Sequence, residues 1–350
     1  MDQYRTDRRQ FLKFLGAGAA MAGGVSLAAP AADAPATPVP HAGGARQRLL
    51  RVAHLTDIHV QPELGAAEGL AACLRHLQAR RDPPTLVLNT GDCIMDSMKR
   101  DRARTELQWK TWDAVWRAEC SLPVRHALGN HDVWGWNKSK SNTTGAEAGW
   151  GKQWALDALK LERAYHSFDH GGWHFVALDS VQPFEDRYTA HLDEAQYAWL
   201  ESDLAAVGRD TPVLVMSHIP IFSVTPLIVP KADAGDDFRI GKAAMHGDFQ
   251  RLRALFKKHP NVKAAVSGHI HLVDRVEYGG VSYLCDGAVS GDWWKGTRLG
   301  DCEPGYAMLD LYDDGSVERE YVSYGWAART DDGAVPAAAP ESGAAEKTAA

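Results

Sequence analysis

The sequence predicts an α/β fold in which helices pack over β-sheets. Short apolar runs alternate with stretches of helical spacing through most of the 350 residues, and the last apolar runs follow one another without a helix between them. That order is typical of parallel strands joined by helices and completed by antiparallel strands. Hydrophobic residues at 45% and charged residues at 24% match an ordinary globular protein with a substantial core.

The first half of the chain predicts three strands separated by two helices. Leucines at helical spacing and the stop Asp82-Pro83-Pro84 indicate the first helix, and tryptophans at helical spacing indicate the second. The predicted elements are a strand at 49–56, a helix at 65–81, a strand at 85–90, a helix at 102–119 and a strand at 123–128.

The second half predicts a hairpin, two helix–strand pairs and three closing strands. Two alternating runs flank Gly171-Gly172, which favours a tight turn, and Asp193 is a suitable N-cap for the helix that follows it. The predicted elements are the hairpin 165–179, a helix at 193–207, a strand at 212–216, a helix at 248–258, and strands at 262–267, 281–284, 306–311 and 317–324.

Both ends of the chain lack the pattern of a folded domain. Arg8-Arg9, Phe11-Leu12-Lys13 and the Ala/Gly-rich run after them resemble a twin-arginine export signal. An uncleaved anchor is the alternative, although the run is short and glycine-rich for a span of about 20 residues. We expect a signal peptide at 1–34, a linker at 35–47, a folded domain at 48–326 and a disordered Ala/Pro-rich tail at 327–350.

These boundaries predict a periplasmic or secreted protein that meets the twin-arginine translocation machinery and has no stable membrane span. The net charge of -7 argues against a nucleic-acid-binding surface, which would need a basic stripe.

The five cysteines are odd in number and show no CxxC spacing, so no disulfide framework can be read. Buried free thiols are expected, with a Cys285–Cys302 bridge as the alternative in an oxidising compartment.

Metal-capable side chains follow five of the predicted strands. Because the carboxyl ends of strands converge on ligands in α/β sheets, groups that are distant in sequence can meet there. Carboxylates, an asparagine carbonyl and imidazoles suit iron, manganese or zinc, and a carboxylate that bridges two such ions lets them activate a shared hydroxide. The segments are Asp57-Ile58-His59, Gly91-Asp92, Gly129-Asn130-His131-Asp132, Ser217-His218 and Gly268-His269-Ile270-His271.

In this order, the motifs DxH, GD, GNHD, a lone His and GHxH resemble those of the calcineurin-like metallophosphoesterases, over residues 51–324. The resemblance implies a four-layer αββα sandwich, with 48–326 as the catalytic domain, and two divalent or mixed-valence metal ions. It implies that Asp57, His59 and His271 bind one metal, that Asn130, His218 and His269 bind the other, and that Asp92 bridges them. It also implies that His131 assists the leaving group and that Asp132 fixes its loop by hydrogen bonding.

Details of the motifs narrow the subclass that the resemblance suggests. The DRG of protein serine/threonine phosphatases is missing after Asp92, and Met95 stands where purple acid phosphatases carry a tyrosine. The pattern is closest to bacterial phosphodiesterases of the class III cyclic-nucleotide and glycerophosphodiester type. Phosphodiester hydrolysis is therefore favoured. A broad-specificity phosphomonoesterase and a non-catalytic metal- or phosphate-binding protein are the alternatives. Either Asp96 or Asp132 is expected to orient His131.

Several aromatic and basic side chains are candidates for contact with a small phosphate ester substrate. Tryptophans stack on planar groups, and cationic side chains meet phosphate. A tryptophan-rich rim would contact a second substituent and so favours diesters, whereas the alternative is that these tryptophans only pack the loops. The candidates are Trp134, Trp136, Trp293, Trp294, Lys295 and Arg298.

The remaining histidines have simpler interpretations. His54 and His126 lie within predicted strands and are expected to be packing residues. His166, His170 and His174 lie on the predicted hairpin, where a solvated face is expected in preference to another metal site.

Overall fold

A computed structural model describes residues 46–228 and 239–327. The predicted signal peptide, most of the predicted linker and nearly all of the predicted tail lie outside these residues. Within the described ranges, no helix is long and apolar enough to cross a membrane. All five cysteines lie in the described ranges and carry free thiols, so Cys285 and Cys302 form no disulfide.

The secondary structure follows the predicted order. The helices are α1 (Ala66–Gln78), α2 (Arg102–Glu119), α3 (Lys138–Ser141), α4 (Gln153–Leu159), α5 (Glu194–Ala206) and α6 (Phe249–Lys258). The strands are β1 (Arg48–Leu55), β2 (Leu86–Asn89), β3 (Val124–His126), β4 (His166–His170), β5 (Trp173–Ala177), β6 (Val181–Phe184), β7 (Arg187–Ala190), β8 (Val213–Met216), β9 (Val262–Ser267), β10 (Asp274–Tyr278), β11 (Val281–Cys285), β12 (Gly305–Tyr312) and β13 (Val317–Ser323).

The strands form two large sheets. One has the order β13-β12-β1-β2-β3, in which β1, β2 and β3 run parallel and the two late strands are antiparallel. The other has the order β10-β11-β9-β8-β5-β4, with parallel inner strands and an antiparallel strand at each edge. β6 and β7 form a separate two-stranded hairpin.

The two sheets pack face to face, and helices cover their outer faces. Alternate residues of β1 show the arrangement, because Val52 packs between the sheets and Ala53 packs toward α1 and α2. On the other side, α5 and α6 pack onto the second sheet through Leu200 and Leu252. This is the four-layer αββα sandwich that the sequence predicts.

Local signals define several element boundaries, of which the Asp193 cap and the Gly171-Gly172 turn are predicted from the sequence. Asp101 and Asp193 cap α2 and α5, and their side chains accept hydrogen bonds from the backbone N–H groups of Arg104 and Gln196. The β4–β5 hairpin turns at Gly171-Gly172, and both glycines have positive φ. The sequence did not indicate α3, α4, β10 or the β6–β7 hairpin, all of which are short.

The structure confirms that two of the histidines are buried, and it contradicts the prediction of a solvated face for His174. His54 and His126 are buried inside the fold, and the His126 ring packs against Trp112. His174 is only 7% exposed, so it does not lie on a solvated face. Its ring bonds to Asp169 and to Asp203 of α5, and these carboxylates outweigh the effect of burial and raise the pKa of His174.

We predict that His174→Gln destabilises the protein more at pH 5.5 than at pH 9. Because the pKa of His174 is raised in the folded state, its contribution is complete below the unfolded pKa of about 6.5 and is lost as pH rises through the folded pKa. Urea unfolding at the two pH values measures the difference. His170→Gln, on the same hairpin, is the control, and an equal loss at both pH values would contradict the prediction.

Candidate metal centre

The metal-capable side chains predicted from the sequence meet at one edge of the sandwich. They follow β1, β2 and β3 of the first sheet and β8 and β9 of the second, at the carboxyl end of each strand. The structure brings together all the predicted ligands, which are Asp57, His59, Asp92, Asn130, His218, His269 and His271. All of them are buried except His269, which is partly exposed.

The first group of ligand atoms comes from Asp57, His59 and His271. The Nε2 atoms of the two histidines are 3.0 Å apart. Asp57 Oδ1 lies 3.4 Å from His271 Nε2 and 3.8 Å from His59 Nε2. These three atoms therefore face a common point between β1 and the loop after β9.

The second group comes from Asn130, His218 and His269. His218 Nε2 lies 3.0 Å from Asn130 Oδ1 and 3.2 Å from His269 Nδ1. Asp92 joins this group, because its Oδ2 lies 3.3 Å from His218 Nε2. The group takes its members from both sheets.

Asp92 faces both groups with the same oxygen. Besides its contact with His218, its Oδ2 lies 3.7 Å from His59 Nε2. Its other oxygen, Oδ1, accepts a hydrogen bond of 2.7 Å from the backbone N–H of His131. The carboxylate is thus held in the position of a bridge between two adjacent sites.

The donor atoms fit two transition-metal ions. Nitrogen and oxygen ligands about 2.1 Å from one cation lie roughly 3 Å from one another, which matches the spacing in both groups. Asp57 Oδ1 is buried and has no hydrogen-bond partner among the described residues. A buried carboxylate oxygen needs a partner, and a cation between Asp57, His59 and His271 would supply one.

The electrostatics also favour bound cations. Burial alone would raise the pKa values of Asp57 and Asp92, but His271 and His218 hold both well below the usual range. Burial disfavours the charged form of His218, yet Asp92 raises its pKa to about 9. The carboxylates therefore favour positive charge beside His218, which is what a bound cation would supply.

Backbone carbonyls fix the orientation of three imidazoles. The Nδ1 atoms of His271 and His218 lie 2.8 Å from Gly291 O and 3.1 Å from Thr90 O, which directs their Nε2 atoms into the cluster. His131 Nδ1 lies 2.5 Å from Met95 O. The prediction that Asp96 or Asp132 orients His131 is therefore wrong.

Asp132 has the loop-fixing contacts that the sequence predicts. Its carboxylate accepts hydrogen bonds from the backbone N–H groups of Asp92, Cys93 and Gly129, at 2.8 to 2.9 Å. Burial and the neighbouring Asp92 raise the pKa of Asp132 to about 7. Asp132 therefore holds the loop after β2 against the loop after β3.

Most ligand residues adopt a strained backbone conformation. A positive φ is uncommon for residues other than glycine and costs on the order of 1 kcal/mol or more. It is nevertheless found at Asp57, His59, Asp92, His269 and His271, with φ between 48° and 70°. The surrounding hydrogen bonds hold these turns.

Glycines permit the close approach of the loops that carry the ligands. A Cβ at Gly268 would lie 2.0 Å from Thr56 Oγ1 and 2.2 Å from Asp57 Oδ2. A Cβ at Gly129 would lie 2.1 Å from Asp92 Oδ1. No side chain fits at either position unless a metal-capable carboxylate moves.

The structure corrects part of the predicted substrate-binding rim. Trp134 and Trp294 are 1% exposed and Trp136 is 7% exposed, so these rings pack the loops and cannot stack on a substrate. Trp134 donates from its indole to Arg100 O. Arg298 is exposed and pairs with Glu303.

Trp293 and Lys295 do lie beside the cluster. The Trp293 ring centroid is 4.4 Å from that of His271 and 6.0 Å from that of His59. Lys295 Nζ lies 4.9 Å from the Trp293 ring and is exposed. Trp294 anchors this segment, because its indole N–H is shared by the carbonyls of Ile58 and His59.

Two features of the site were missed by sequence reasoning. Tyr188, on the β6–β7 hairpin, packs edge-on to His269 with ring centroids 6.0 Å apart. The second is a buried network in which His54 joins Asp286 Oδ2, at 2.6 Å, to Thr90 Oγ1, at 2.9 Å. The only sequence signal for this network was that His54 lies on β1, three residues before Asp57.

Comparison with known proteins supports these findings. Residues 50–273 match the profile of a family described as calcineurin-like phosphoesterase. A 3',5'-cyclic-nucleotide phosphodiesterase from Nostoc sp. is 24% identical over an alignment of 282 residues that covers 76% of this chain and 90% of that protein. Purple acid phosphatase 22 of Arabidopsis thaliana is 24% identical over an alignment of 225 residues that covers 61% of this chain and 43% of that protein.

Solved structures share the fold. A dimetal phosphatase from Danio rerio has a TM-score of 0.50 and 18% identity, with 80% of this chain and 100% of that chain covered. Purple acid phosphatase PPD1 from yellow lupin has a TM-score of 0.53 and 17% identity, with 82% of this chain and 52% of that chain covered. The predicted sandwich is therefore also found in phosphatases of low sequence identity.

We predict that Gly129→Ala lowers the affinity for Mn²⁺ about 10- to 100-fold, the range seen when the support of a metal ligand is disturbed. The new methyl group would overlap Asp92 Oδ1. Calorimetric titration of the purified variant measures the affinity, and circular dichroism checks its fold.

Gly208→Ala is the matched control for this substitution. A Cβ at Gly208 would meet its nearest neighbour, Thr211 Oγ1, at an ordinary 3.7 Å. If Gly129→Ala bound Mn²⁺ as tightly as Gly208→Ala, the close approach to Asp92 would have no role in building the site.

Proposed function

This chain belongs to the calcineurin-like phosphoesterase family, and we propose that it hydrolyses phosphodiesters with the help of two bound metal ions. The observation that carries the proposal is the position of Asp92, whose Oδ2 lies within 3.7 Å of His59 Nε2 and 3.3 Å of His218 Nε2. One carboxylate oxygen placed between two ligand groups suits a bridge between two neighbouring metal ions.

The proposed ligand roles follow the two groups. Asp57, His59 and His271 would hold the first metal, and Asn130, His218 and His269 would hold the second. Iron, manganese and zinc all suit these nitrogen and oxygen donors. When bound, two such ions supply Lewis acidity to a phosphoryl oxygen and lower the pKa of a coordinated water.

His131 is the proposed acid that assists the leaving group. Its Nδ1 faces Met95 O, so Nε2 is left to hold or donate a proton, and the ring lies 4.7 Å from that of His59. The side chain is partly exposed, as a group that meets substrate must be. Its backbone N–H meanwhile holds Asp92 Oδ1, which couples the acid to the bridging carboxylate.

The preference for diesters rests on the rim and on the similarity to a phosphodiesterase. Trp293 gives the cluster an aromatic wall, and Lys295 adds positive charge above that wall. The Nostoc relative matches over 90% of its own length. Met95 also stands where a purple acid phosphatase would carry its metal-binding tyrosine.

Phosphomonoester hydrolysis is the alternative reaction. Similarity to the Arabidopsis purple acid phosphatase favours it. A non-catalytic metal- or phosphate-binding protein is the alternative of another class. His131 speaks against it, because binding alone does not need an imidazole held beside the cluster with one nitrogen free.

We predict that protein reconstituted with Mn²⁺ hydrolyses bis-p-nitrophenyl phosphate with a higher kcat/KM than p-nitrophenyl phosphate. Chelation should abolish both activities, because the carboxylates and imidazoles alone provide no comparable electrophile. Initial rates with Mn²⁺, Fe²⁺ and Zn²⁺ in parallel identify the metal that supports turnover.

Two variants separate the roles of metal bridge and acid. Asp92→Asn should lose metal as well as activity, whereas His131→Ala should keep both metals and lose roughly 100-fold or more in kcat. Turnover of the monoester alone would replace the diesterase with a phosphatase. Two bound metals without turnover of either ester would favour the binding protein.

We also propose export by the twin-arginine pathway, on the strength of Arg8-Arg9 and Phe11-Leu12-Lys13. That pathway carries folded proteins. It would therefore allow a site whose ligand residues come from distant segments to bind its metals before export. We predict that the full chain appears in the periplasmic fraction of an expressing bacterium and that the double variant Arg8→Lys, Arg9→Lys stays in the cytoplasm. Equal export of both would reject the proposal.

A further inference from the structure

The β6–β7 hairpin places an aromatic ring at the second end of the cluster. Tyr188 lies edge-on to His269, one of the residues grouped around His218, with ring centroids 6.0 Å apart. No described residue forms a hydrogen bond with the hydroxyl group of Tyr188.

The hairpin is held firmly enough to position this ring. Tyr188 packs on an apolar cluster of the loops around it, which includes Val133 and Ile219. Asn137 donates a hydrogen bond of 3.0 Å to Asp186 in the hairpin turn. At the end of β7, the backbone N–H of Ala190 donates a hydrogen bond of 2.7 Å to Lys242 O.

The opposite end of the cluster carries the proposed leaving-group acid. His131 and Trp293 both pack against His59, with ring centroids 4.7 Å and 6.0 Å away. Neither ring has a ring contact with His269 or Tyr188 among the described residues. A leaving group that receives its proton from His131 would therefore lie nearer Trp293 than Tyr188, and the substituent that stays on phosphorus would have the Tyr188 end available to it.

We infer that Tyr188 is a specificity residue whose ring contacts the substituent that remains on phosphorus, and that the enzyme prefers diesters in which this substituent is planar or apolar. The inference rests on the proposed phosphodiesterase function. It assigns Trp293 and Tyr188 to the two different substituents of one substrate. Packing of two aromatic groups contributes about 0.5 to 1.5 kcal/mol, which corresponds to a two- to tenfold preference.

Two diesters with the same leaving group test the inference. Bis-p-nitrophenyl phosphate and methyl p-nitrophenyl phosphate both release p-nitrophenol, but the first retains an aryl group and the second a methyl group. Tyr188→Ala should lower kcat/KM about five- to tenfold for the first and less than twofold for the second. Tyr188→Phe, which keeps the ring, should stay within twofold of the wild type for both.

Matched controls separate contact with substrate from damage to the site. Tyr278→Ala removes an exposed tyrosine from β10 and should change neither rate. Two metals per protein must be retained in Tyr188→Ala, because the ring also packs against His269. Equal losses for the two diesters, or a loss in Tyr188→Phe as large as in Tyr188→Ala, would overturn the inference.

A binding measurement tests the role of Tyr188 even if the protein hydrolyses no diester. If the wild type with two metals hydrolyses neither diester, the diesterase proposal fails, and calorimetry with diphenyl phosphate and methyl phenyl phosphate then tests Tyr188 directly. About five- to tenfold weaker binding of diphenyl phosphate to Tyr188→Ala, with little change for methyl phenyl phosphate, would support the contact. Unchanged binding of both would reject it.

Discussion

Burial of two neighbouring carboxylates is the constraint on which this structure depends. Asp57 and Asp92 are no more than 1% exposed, and removing such charges from water costs several kcal/mol for each ion unless partners offset it. Backbone N–H groups offset part of the cost, since His269 donates to Asp57 and His131 donates to Asp92. Both donors belong to residues whose own side chains face the site. The hydrogen bonds that stabilise the buried carboxylates therefore also position His269 and His131.

The same requirement explains the unusual backbone around the cluster. To reach Asp57, the loop after β9 must cross from the second sheet to the first, and Gly268 permits this because a Cβ there would overlap Asp57 Oδ2. Hydrogen bonds between these loops accompany the positive φ values, since His269 N–H donates to Asp57 Oδ2 across the sheets and His59 N–H donates to Asp92 O within the first sheet. Strain of this kind persists only where neighbouring structure determines the conformation, and here the two sheets provide that structure.

The sequence predicts the α/β order of elements and the segments that carry the ligands because both follow local rules. Apolar periodicity marks the strands, and polar motifs mark their ends, whereas the four-layer sandwich was implied by the resemblance that those motifs carry. The sequence could not predict that Met95 orients His131, because a backbone carbonyl leaves no mark on residue identity. Burial of Trp294 was equally hidden, since its ring occupies the space over Gly69, where a Cβ would lie 2.1 Å from the indole. A tryptophan beside a motif reads the same whether it faces the substrate or the core.

The division between ligand set and rim has a functional consequence. Ligand positions depend on strand ends that the fold holds in place, whereas Trp293 and Tyr188 belong to a loop and a short hairpin. Under the proposed function, changes in those segments would alter the ester that is accepted while leaving Asp92 and its hydrogen bonds in place. The motifs of the ligand set therefore indicate the family, and the proposed substrate preference depends on segments that carry no motif. That is why similarity to both a phosphodiesterase and a phosphatase is compatible with one metal centre.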